Sequence, residues 1–201
     1  KGFVDGIMGG SSARFYEPYL TTGVRGAWRD AGNTGYVTDD GSGYMPAGNM
    51  RRLVFGADSA GFNPRVHAIG DEAVDAILDI FEAVQQVNGP REDRRFAIIH
   101  NQVISGPETA RRTAELGIVA EMQPYHTIDD MRWMEERIGR RARWAYAFRT
   151  LQDAGDLQRV LRTPEQPVTL RHNDVVSSGD NIEQTLTRIS TLKTSRTASS
   201  S

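Results

Sequence analysis

The sequence predicts an α/β fold, namely a partial TIM-like (β/α) barrel built from later strand–helix units. Three observations predict it. Short apolar runs alternate with stretches of helical periodicity, as in parallel strands joined by crossover helices. Two runs end in histidines, His67 and His100, whose separation of 33 residues is typical of one strand–helix unit. Polar residues recur at strand ends, which favours a barrel over a doubly wound sheet, although that alternative stays open.

The length and composition are those of an ordinary globular chain, and they exclude several classes of protein. A full barrel needs about 250 residues, whereas this chain has 201 and shows four or five units. The net charge of −2 gives no electrostatic basis for binding nucleic acid or an anionic membrane. The absence of cysteine rules out disulfides and thiolate zinc sites. No apolar run could span a membrane and no signal sequence opens the chain, so the cytoplasm is the expected location.

The chain begins with the end of a strand over residues 1–5 and a glycine-rich loop over residues 6–12. This loop could cradle a phosphate, so an α/β domain that binds phosphate or another small molecule is one alternative function. No lysine stands in the P-loop position and no dinucleotide fingerprint is present, which favours an ordinary active-site loop. Residues 19–49 predict a lid, a substrate loop or a disordered segment, and residues 50–60 predict a short helix.

The first complete strand–helix unit contains His67. The apolar run over residues 62–66 leads into this histidine, a turn follows at Gly70, and residues 71–87 carry apolar side chains at helical spacing. A lone histidine here could simply order the turn between strand and helix. Asp71 is expected to cap the helix, and in an alternative role its carboxylate orients His67 beside a metal.

The second unit repeats this arrangement. Apolar residues 96–99 end in His100, and residues 107–116 predict a helix. Two histidines therefore occupy equivalent places in successive units, at the edge of the sheet where α/β proteins collect their ligands. Neutral imidazole is the commonest metal ligand among side chains. The spacing thus predicts a metal site shared by His67 and His100.

Boundary signals and shorter elements complete the prediction. Ser105 and Glu108 fit a capping box, and Gly117 stands at the expected helix end. The other predicted elements are strands over residues 118–122 and 167–170 and helices over residues 127–138, 143–154 and 182–192. Arginines between residues 137 and 143 are interpreted as a solvated face rather than a nucleic-acid site. The predicted barrel domain covers residues 1–192, and low-complexity residues 193–201 are expected to be disordered.

Several motifs resemble the amidohydrolase superfamily, in its YtcJ-like branch that includes N-substituted formamide deformylases. The block His-Ala-Ile-Gly-Asp at residues 67–71 is the most specific of them. The stretches that carry the resemblance are residues 1–6, 61–71, 99–102, 122–126 with 129–133, and 146–149. The resemblance implies a metal-dependent hydrolase on a TIM-like barrel, holding one or two divalent ions, with zinc expected. The implied reaction is hydrolysis of a linear C–N bond of an amide or formamide by metal-activated water.

The resemblance also implies roles for individual residues. The implied metal ligands are Lys1, as a carbamate, together with His67, His100 and Asp174. Asp174 would also act as general base and then general acid, and Asp180 is the fallback for this last-strand aspartate. Gln123 and His126 match positions that line the substrate pocket, and His126 would also be catalytic by bonding the substrate carbonyl. The implied partner is a small-molecule amide, and a homodimer is kept open.

The largest departure from the family is a missing motif. The first strand of these barrels supplies two further ligands as His-x-His, whereas the four histidines here are His67, His100, His126 and His172. His172 is interpreted as structural. The match begins in the middle of the family pattern, so the chain is expected to correspond to the carboxyl-proximal part of such a barrel. A catalytically incomplete piece of a hydrolase is therefore the second hypothesis.

Overall fold

A computed structural model describes residues 1–29 and 49–155. Within them, the strands form one parallel sheet in the order in which they occur in the chain. The strands are β1 (Gly2–Phe3), β2 (Arg65–Ala68), β3 (Ala97–His100) and β4 (Val119–Glu121). Neighbouring parallel strands in sequence order, each joined to the next through helix, are the repeating unit of a (β/α) barrel. The predicted α/β class and partial TIM-like barrel are confirmed.

Helices cover the described sheet. The α-helices are α1 (Asn49–Ser59), α2 (Asp71–Asn88), α3 (Pro107–Glu115), α4 (Pro124–Asp130), α5 (Met134–Ile138) and α6 (Phe148–Asp153). A 3-10 helix, Gly139–Trp144, lies between the last two. The predictions for α1 and α2 hold to within one residue at each end. None of the helices in residues 1–29 and 49–155 is both long and apolar enough to cross a membrane.

The core lies between the sheet and α2. The apolar stripe predicted for this helix is buried in full: Val74, Ile77, Leu78, Phe81 and Val84. Phe81 stacks on Phe96, just before β3, with ring centroids 4.7 Å apart. This packing fixes α2 against the sheet and so fixes where each neighbouring strand ends.

One strand begins later than its sequence indicates. Residues 62–66 predict a strand that leads into His67 at its carboxyl end, but β2 starts only at Arg65 and contains His67 as its third residue. Phe62 belongs instead to the turn after α1, where its amide donates to Ala57 O, and its side chain is 68% exposed. Pro64 has no N–H to give to the sheet, so regular pairing begins only after it.

The helices near the carboxyl end of the described region are shorter than predicted. The single helix expected over residues 127–138 is two helices, α4 and α5, and α4 starts earlier because Pro124 supplies a pre-set first turn. The helix expected over residues 143–154 is interrupted at Tyr146, whose φ is +52°. Here Ala145 forms a bridge with Val103, which draws the backbone out of helical geometry.

The predicted capping box is wrong. Gly106 occupies the position before α3, and no side chain caps that helix. The Ser105 hydroxyl donates instead to Asp75 Oδ2 at 2.5 Å, and Glu108 pairs with Arg111. The predicted stop at Gly117 is confirmed, because this glycine has φ +67° and its amide bonds Ala114 O.

Some predictions concern residues outside 1–29 and 49–155. These are the middle of the 19–49 segment, the strand over 167–170, the helix over 182–192, the tail over 193–201, and His172, Asp174 and Asp180. They stay predictions from the sequence.

Candidate active site

The two strand-end histidines meet at the carboxyl edge of the sheet. His67 lies on β2 and His100 ends the neighbouring strand β3. Their ring centroids are 4.7 Å apart, with the rings at 77° to each other. His67 is buried and His100 is half-buried. The juxtaposition expected from their spacing is therefore present.

Regular strand geometry alone would not bring these rings together. His67 pairs with Ile99 in the parallel register, and side chains alternate between faces, so a fully regular β3 would point His100 to the opposite face. His100 has φ +75° and Asn101 has φ +43°, both in the left-handed region. Each such residue costs of order 1–3 kcal/mol. This local backbone turn is what allows the two imidazoles to share one face.

The surroundings of His67 identify which of its nitrogens is free. His67 Nε2 lies 2.8 Å from the carbonyl oxygen of Gly6, which can only accept a hydrogen bond. A neutral His67 therefore carries its proton on Nε2 and keeps the lone pair on Nδ1. Metal-ligating histidines usually hold their second nitrogen in such a bond.

A buried carboxylate that the sequence analysis missed lies beside His67. Asp5 Oδ1 is 3.4 Å from His67 Nε2, and Asp5 is fully buried. Its oxygens accept from the backbone amides of Arg14, Ile69 and Gly70. The sequence signal is that Asp5 is a polar residue directly after the first apolar run, but only the pairing of β1 with β2 brings it to His67.

His100 is oriented by Gln123. His100 Nδ1 lies 2.5 Å from Gln123 Oε1, while Gln123 Nε2 donates to Glu121 O at 2.8 Å. The second bond fixes which end of the amide faces the ring, so His100 Nδ1 carries the proton and Nε2 keeps the lone pair. Burial, and then the charge of His67, lower the pKa of His100. The ring is thereby held neutral, as a metal ligand must be.

Lys1 lies close to this pair without contacting it. Its Nζ sits 5.0 Å from the centroid of the Phe3 ring, and Phe3 in turn packs 5.3 Å from His67. The positive charge of Lys1 contributes to lowering the pKa of His100. An ammonium has no lone pair, so this geometry is that of a cation over an aromatic face. A ligand role would require the carbamate.

His126 lies on the other side of His100. It belongs to α4, its ring centroid is 6.0 Å from that of His100, and it is exposed. Gln123 immediately precedes the same helix. The predicted pocket residues Gln123 and His126 are therefore brought together with the two predicted ligands.

Asp71 hydrogen-bonds the backbone rather than His67. Its Oδ1 accepts from the backbone amides of Tyr16 at 3.0 Å and Glu72 at 2.7 Å. Gly70 stands before α2 and no side chain caps that helix, so Asp71 ties the loop to the helix from inside the first turn. Burial raises the pKa of Asp71. The carboxylate that approaches His67 is Asp5, not Asp71.

A cavity of about 650 Å³ opens beside Asp71, away from the histidine cluster. Its lining includes Tyr16, Asp75, Arg141 and Trp144, and none of the histidines. Asp75 is already bonded by Ser105 and Thr109, and Arg141 donates to the carbonyls of residues 17, 18 and 138. These charged groups are occupied by protein partners, so chemistry is assigned to the histidines.

The glycine-rich loop over residues 6–12 is held by hydrogen bonds between its own residues. Ser12 Oγ accepts from Ile7 N, and the amides of Ser11 and Ser12 bond carbonyls within the loop. Gly6 N donates to Ser12 O. Because these amides are used internally, the loop offers no observation in favour of a phosphate cradle.

The donor chemistry fits part of a metal site. The hydrogen bonds of His67 Nε2 and His100 Nδ1 assign the proton of each neutral ring to those atoms and leave His67 Nδ1 and His100 Nε2 as the nitrogens that could bind a metal. In residues 1–29 and 49–155, however, no three histidine, aspartate or glutamate side chains are grouped to hold a metal. Two ligands do not complete a zinc site, which takes at least three from the protein. A complete zinc site would therefore need ligands beyond these two, and the candidates predicted from the sequence are a carbamylated Lys1 and Asp174, which lies outside the described residues.

Comparison with known proteins agrees with this geometry. The chain is 36% identical over 159 residues to "Protein LONG AFTER FAR-RED 3" of Arabidopsis thaliana. The aligned region covers 78% of this chain and 24% of that protein. It is 34% identical over 162 residues to "Putative amidohydrolase YtcJ" of Bacillus subtilis, covering 78% of this chain and 26% of that protein. The chain thus spans about a quarter of the length of these curated relatives.

Solved structures give the same result. An uncharacterized metal-dependent hydrolase from Pyrococcus furiosus superposes with a TM-score of 0.59 at 29% identity, over 76% of this chain and 28% of that one. A second one, from Pyrococcus horikoshii OT3, has a TM-score of 0.60 at 26% identity, over 76% and 27%. The amidohydrolase family profile matches residues 1–158 of this sequence. Since that match covers more than half of the chain, the chain belongs to the amidohydrolase family.

Proposed function

We propose that this chain contributes the later strands of a metal-dependent amidohydrolase that cleaves a linear C–N bond, such as that of a formamide or N-acyl amine. The observation that carries the proposal is the pair of imidazole rings with centroids 4.7 Å apart on adjacent strands. Membership of the family supports hydrolysis as the reaction class. The choice of bond rests on the resemblance to formamide deformylases.

The proposed metal is zinc, held by His67 Nδ1 and His100 Nε2. When bound, zinc lowers the pKa of water to about 7 and polarises a carbonyl, which is the activation that amide hydrolysis needs. Asp174 is the proposed third ligand, and Lys1 is a proposed ligand in carbamate form. Imidazole nitrogen with carboxylate oxygen is a donor set suited to zinc.

The other residues are proposed to handle the substrate and the proton. Asp174 accepts a proton from the attacking water and returns it to the leaving amine, and general catalysis of this kind contributes about 10² to 10⁴-fold. His126 and Gln123 hold the substrate carbonyl beside the two ligands. The proposed substrate is a small-molecule amide, and the cytoplasmic location and a homodimer are further proposals.

Zinc content tests the site. We expect the chain purified in the presence of zinc to retain the ion, and His67→Ala and His100→Ala each to lose most of it. His126→Ala is the matched control, because it removes a neighbouring imidazole that is not a proposed ligand. Unchanged zinc in both ligand variants would remove the site. Equal loss in the control would show that the cluster, not these two ligands, binds the ion.

The second candidate is a chain that binds metal without turning over substrate. It is favoured by the lack of a three-ligand group among the described residues and by the missing His-x-His. Assays of zinc-loaded chain against N-formyl and N-acyl amines separate the two. Turnover that disappears in His67→Ala would reject the incomplete chain. Bound zinc with no turnover would support it.

A further inference from the structure

Hydrogen bonds at both ends of the short helix α4 connect this helix to the chain at and just after the end of β3. At its start, Gln123 Oε1 accepts from His100 Nδ1. At its other end, Asp130 Oδ2 accepts from Gln102 Nε2 at 2.6 Å. The two anchor points, His100 at the end of β3 and Gln102 just after that strand, flank Asn101. Helix α4 therefore bridges the segment that contains the strained backbone.

Asp130 is also bonded from a third element. The hydroxyl of Tyr146 donates to Asp130 Oδ2, the same oxygen that receives Gln102. The amide of Tyr146 donates to Gln102 O at 2.7 Å, so these three residues form a closed ring of hydrogen bonds. Gln102 and Tyr146 are buried, and burial raises the pKa of Asp130. Partly desolvated bonds to a carboxylate are among the stronger ones in proteins.

The segment that this ring holds is unfavourable by itself. His100 and Asn101 both have positive φ, and Tyr146 has φ +52°. The side chain of Asn101 is fully buried, yet within residues 1–29 and 49–155 neither its Oδ1 nor its Nδ2 has a hydrogen-bond partner. Strained conformations persist only where the surroundings over-determine them. The bonds centred on Asp130 hold Gln102 and Tyr146, the residues directly after and beside this segment.

We propose that Asp130 is a positioning residue for His100: with Tyr146 and Gln102 it holds the strand end and α4 in the arrangement that aims the imidazole at His67. This proposal deepens the proposed function and rests on His100 being a metal ligand. Removing Asp130 frees the far end of α4, so Gln123 no longer stays fixed against His100 Nδ1. The strand end then relaxes toward regular alternation, in which His100 leaves the shared face.

The first test is spectroscopic and needs no metal. Long-range ¹H–¹⁵N spectra of the metal-free chain report which nitrogen of each imidazole carries the proton, and substitution of each histidine assigns the signals. In the unsubstituted chain we expect His67 protonated on Nε2 and His100 on Nδ1. In Asp130→Ala we expect His100 to show a mixture of tautomers while His67 is unchanged. Asp129→Ala, an exposed acidic neighbour on the same helix, is the matched control.

The second test is zinc affinity, measured by competition with a chelating dye. Loss of a residue that orients a ligand typically weakens metal binding by about 10- to 100-fold. We expect a loss in that range for Asp130→Ala, a smaller one for Tyr146→Phe, partial recovery in Asp130→Asn, and none for Asp129→Ala. The Phe and Asn variants keep the local volume, so they carry the test if Asp130→Ala does not fold.

The outcomes separate this proposal from the proposed function. A retained His100 tautomer and unchanged affinity in Asp130→Ala and Tyr146→Phe, while His100→Ala loses zinc, would overturn the positioning role and leave the metal site standing. Absence of zinc binding in the unsubstituted chain would overturn both. A loss of the His67 signal together with that of His100 in all Asp130 and Tyr146 variants would show a general structural role and also overturn the proposal.

Discussion

The two edges of the sheet handle their buried carboxylates in opposite ways. At the amino edge, Asp58 is buried and saturated by charged partners: Arg94 bonds both of its oxygens, Asn88 donates at 2.9 Å and Arg91 lies 3.2 Å away. At the carboxyl edge, Asp5 receives backbone amides and lies beside a histidine rather than an arginine. The backbone strain at His100 and Asn101 also belongs to this second edge.

This contrast separates stability from chemistry. A carboxylate paired with two guanidiniums is neutralised, and it ties α1, α2 and the segment before β3 together. At the other edge, one nitrogen of His67 and one of His100 have no hydrogen-bond partner in the part of the chain that the structure describes, and surrounding hydrogen bonds offset the backbone strain at His100. In (β/α) barrels the carboxyl edge carries activity and the amino edge carries stability.

The largest effect on stability is expected at the amino edge. Asp58→Ala leaves Arg91 and Arg94 without their shared partner, and breaking a buried ion pair costs about 3 kcal/mol or more. Urea denaturation should show this decrease in the free energy of unfolding. Asp93→Ala is the control, because Asp93 also pairs with Arg91 but is 72% exposed. A decrease below 1 kcal/mol in Asp58→Ala would contradict the assignment of stability to this edge.

Substitution of Asp5 is expected to lower the free energy of unfolding by less than substitution of Asp58, and to weaken zinc binding as well. Asp5→Asn replaces one acceptor oxygen by an amide that opposes the backbone N–H groups pointing at it, which costs about 1–3 kcal/mol. Because Asp5 lies beside His67, this variant should also weaken zinc binding, whereas folded Asp58→Ala should not. Denaturation and dye competition on both variants measure the two effects. Equal zinc affinity in Asp5→Asn and the unsubstituted chain would show that Asp5, like Asp58, acts only on stability.

The pH dependence of stability should sharpen the same contrast. Burial alone would raise the pKa of Asp58, but the hydrogen bonds from Arg94 and Asn88 and the charge of Arg91 lower it below 3.8. The folded chain then binds fewer protons at this site than the unfolded chain. Its stabilisation is present above pH 3.8 and is lost as the pH falls through the folded pKa. Unfolding measured near pH 5 and pH 3 should show a smaller acid loss for Asp58→Asn, and an identical loss would contradict it.

The smallest effect on stability is expected from substitutions that remove exposed ion pairs. Arg111 pairs with Glu108 and Glu115 on the surface of α3. Exposed pairs contribute little because water and salt screen them. Arg111→Ala should therefore leave the thermal midpoint unchanged within the error of calorimetry. A clear decrease would show that proximity to the sheet edges does not decide which ion pairs stabilise this chain.

Most of the described fold could be predicted from periodicity. Helix α2 was predicted because its five apolar residues repeat at helical spacing, and β3 because four apolar residues end in a histidine. The errors arose where a tertiary contact overrides local pattern. The bridge from Val103 to Ala145 interrupts a helix that its own residues favour. Ser105 bonds Asp75 on a different helix rather than capping its own.

The candidate site divides in the same way. Spacing alone predicted that His67 and His100 stand at corresponding strand ends, since a strand–helix repeat has a nearly fixed length. It could not predict that Asp5 approaches His67, because their 62-residue separation in sequence is closed only by the pairing of β1 with β2. Spacing also could not predict the proposed positioning role of Asp130, because that role depends on hydrogen bonds that α4 accepts from Gln102 and Tyr146.

By itself the sequence determined the class of fold, the order of its units and the two imidazoles at the carboxyl edge of the sheet, because apolar periodicity and chain order are local properties. Only the tertiary structure decided which nitrogen of each ring is free, which carboxylate stands beside them and where the backbone is strained. Those properties are set by hydrogen bonds between segments far apart in the chain, such as Gly6 with His67 and Gln123 with His100. Such bonds exist only once the strands have paired, so no local pattern encodes them.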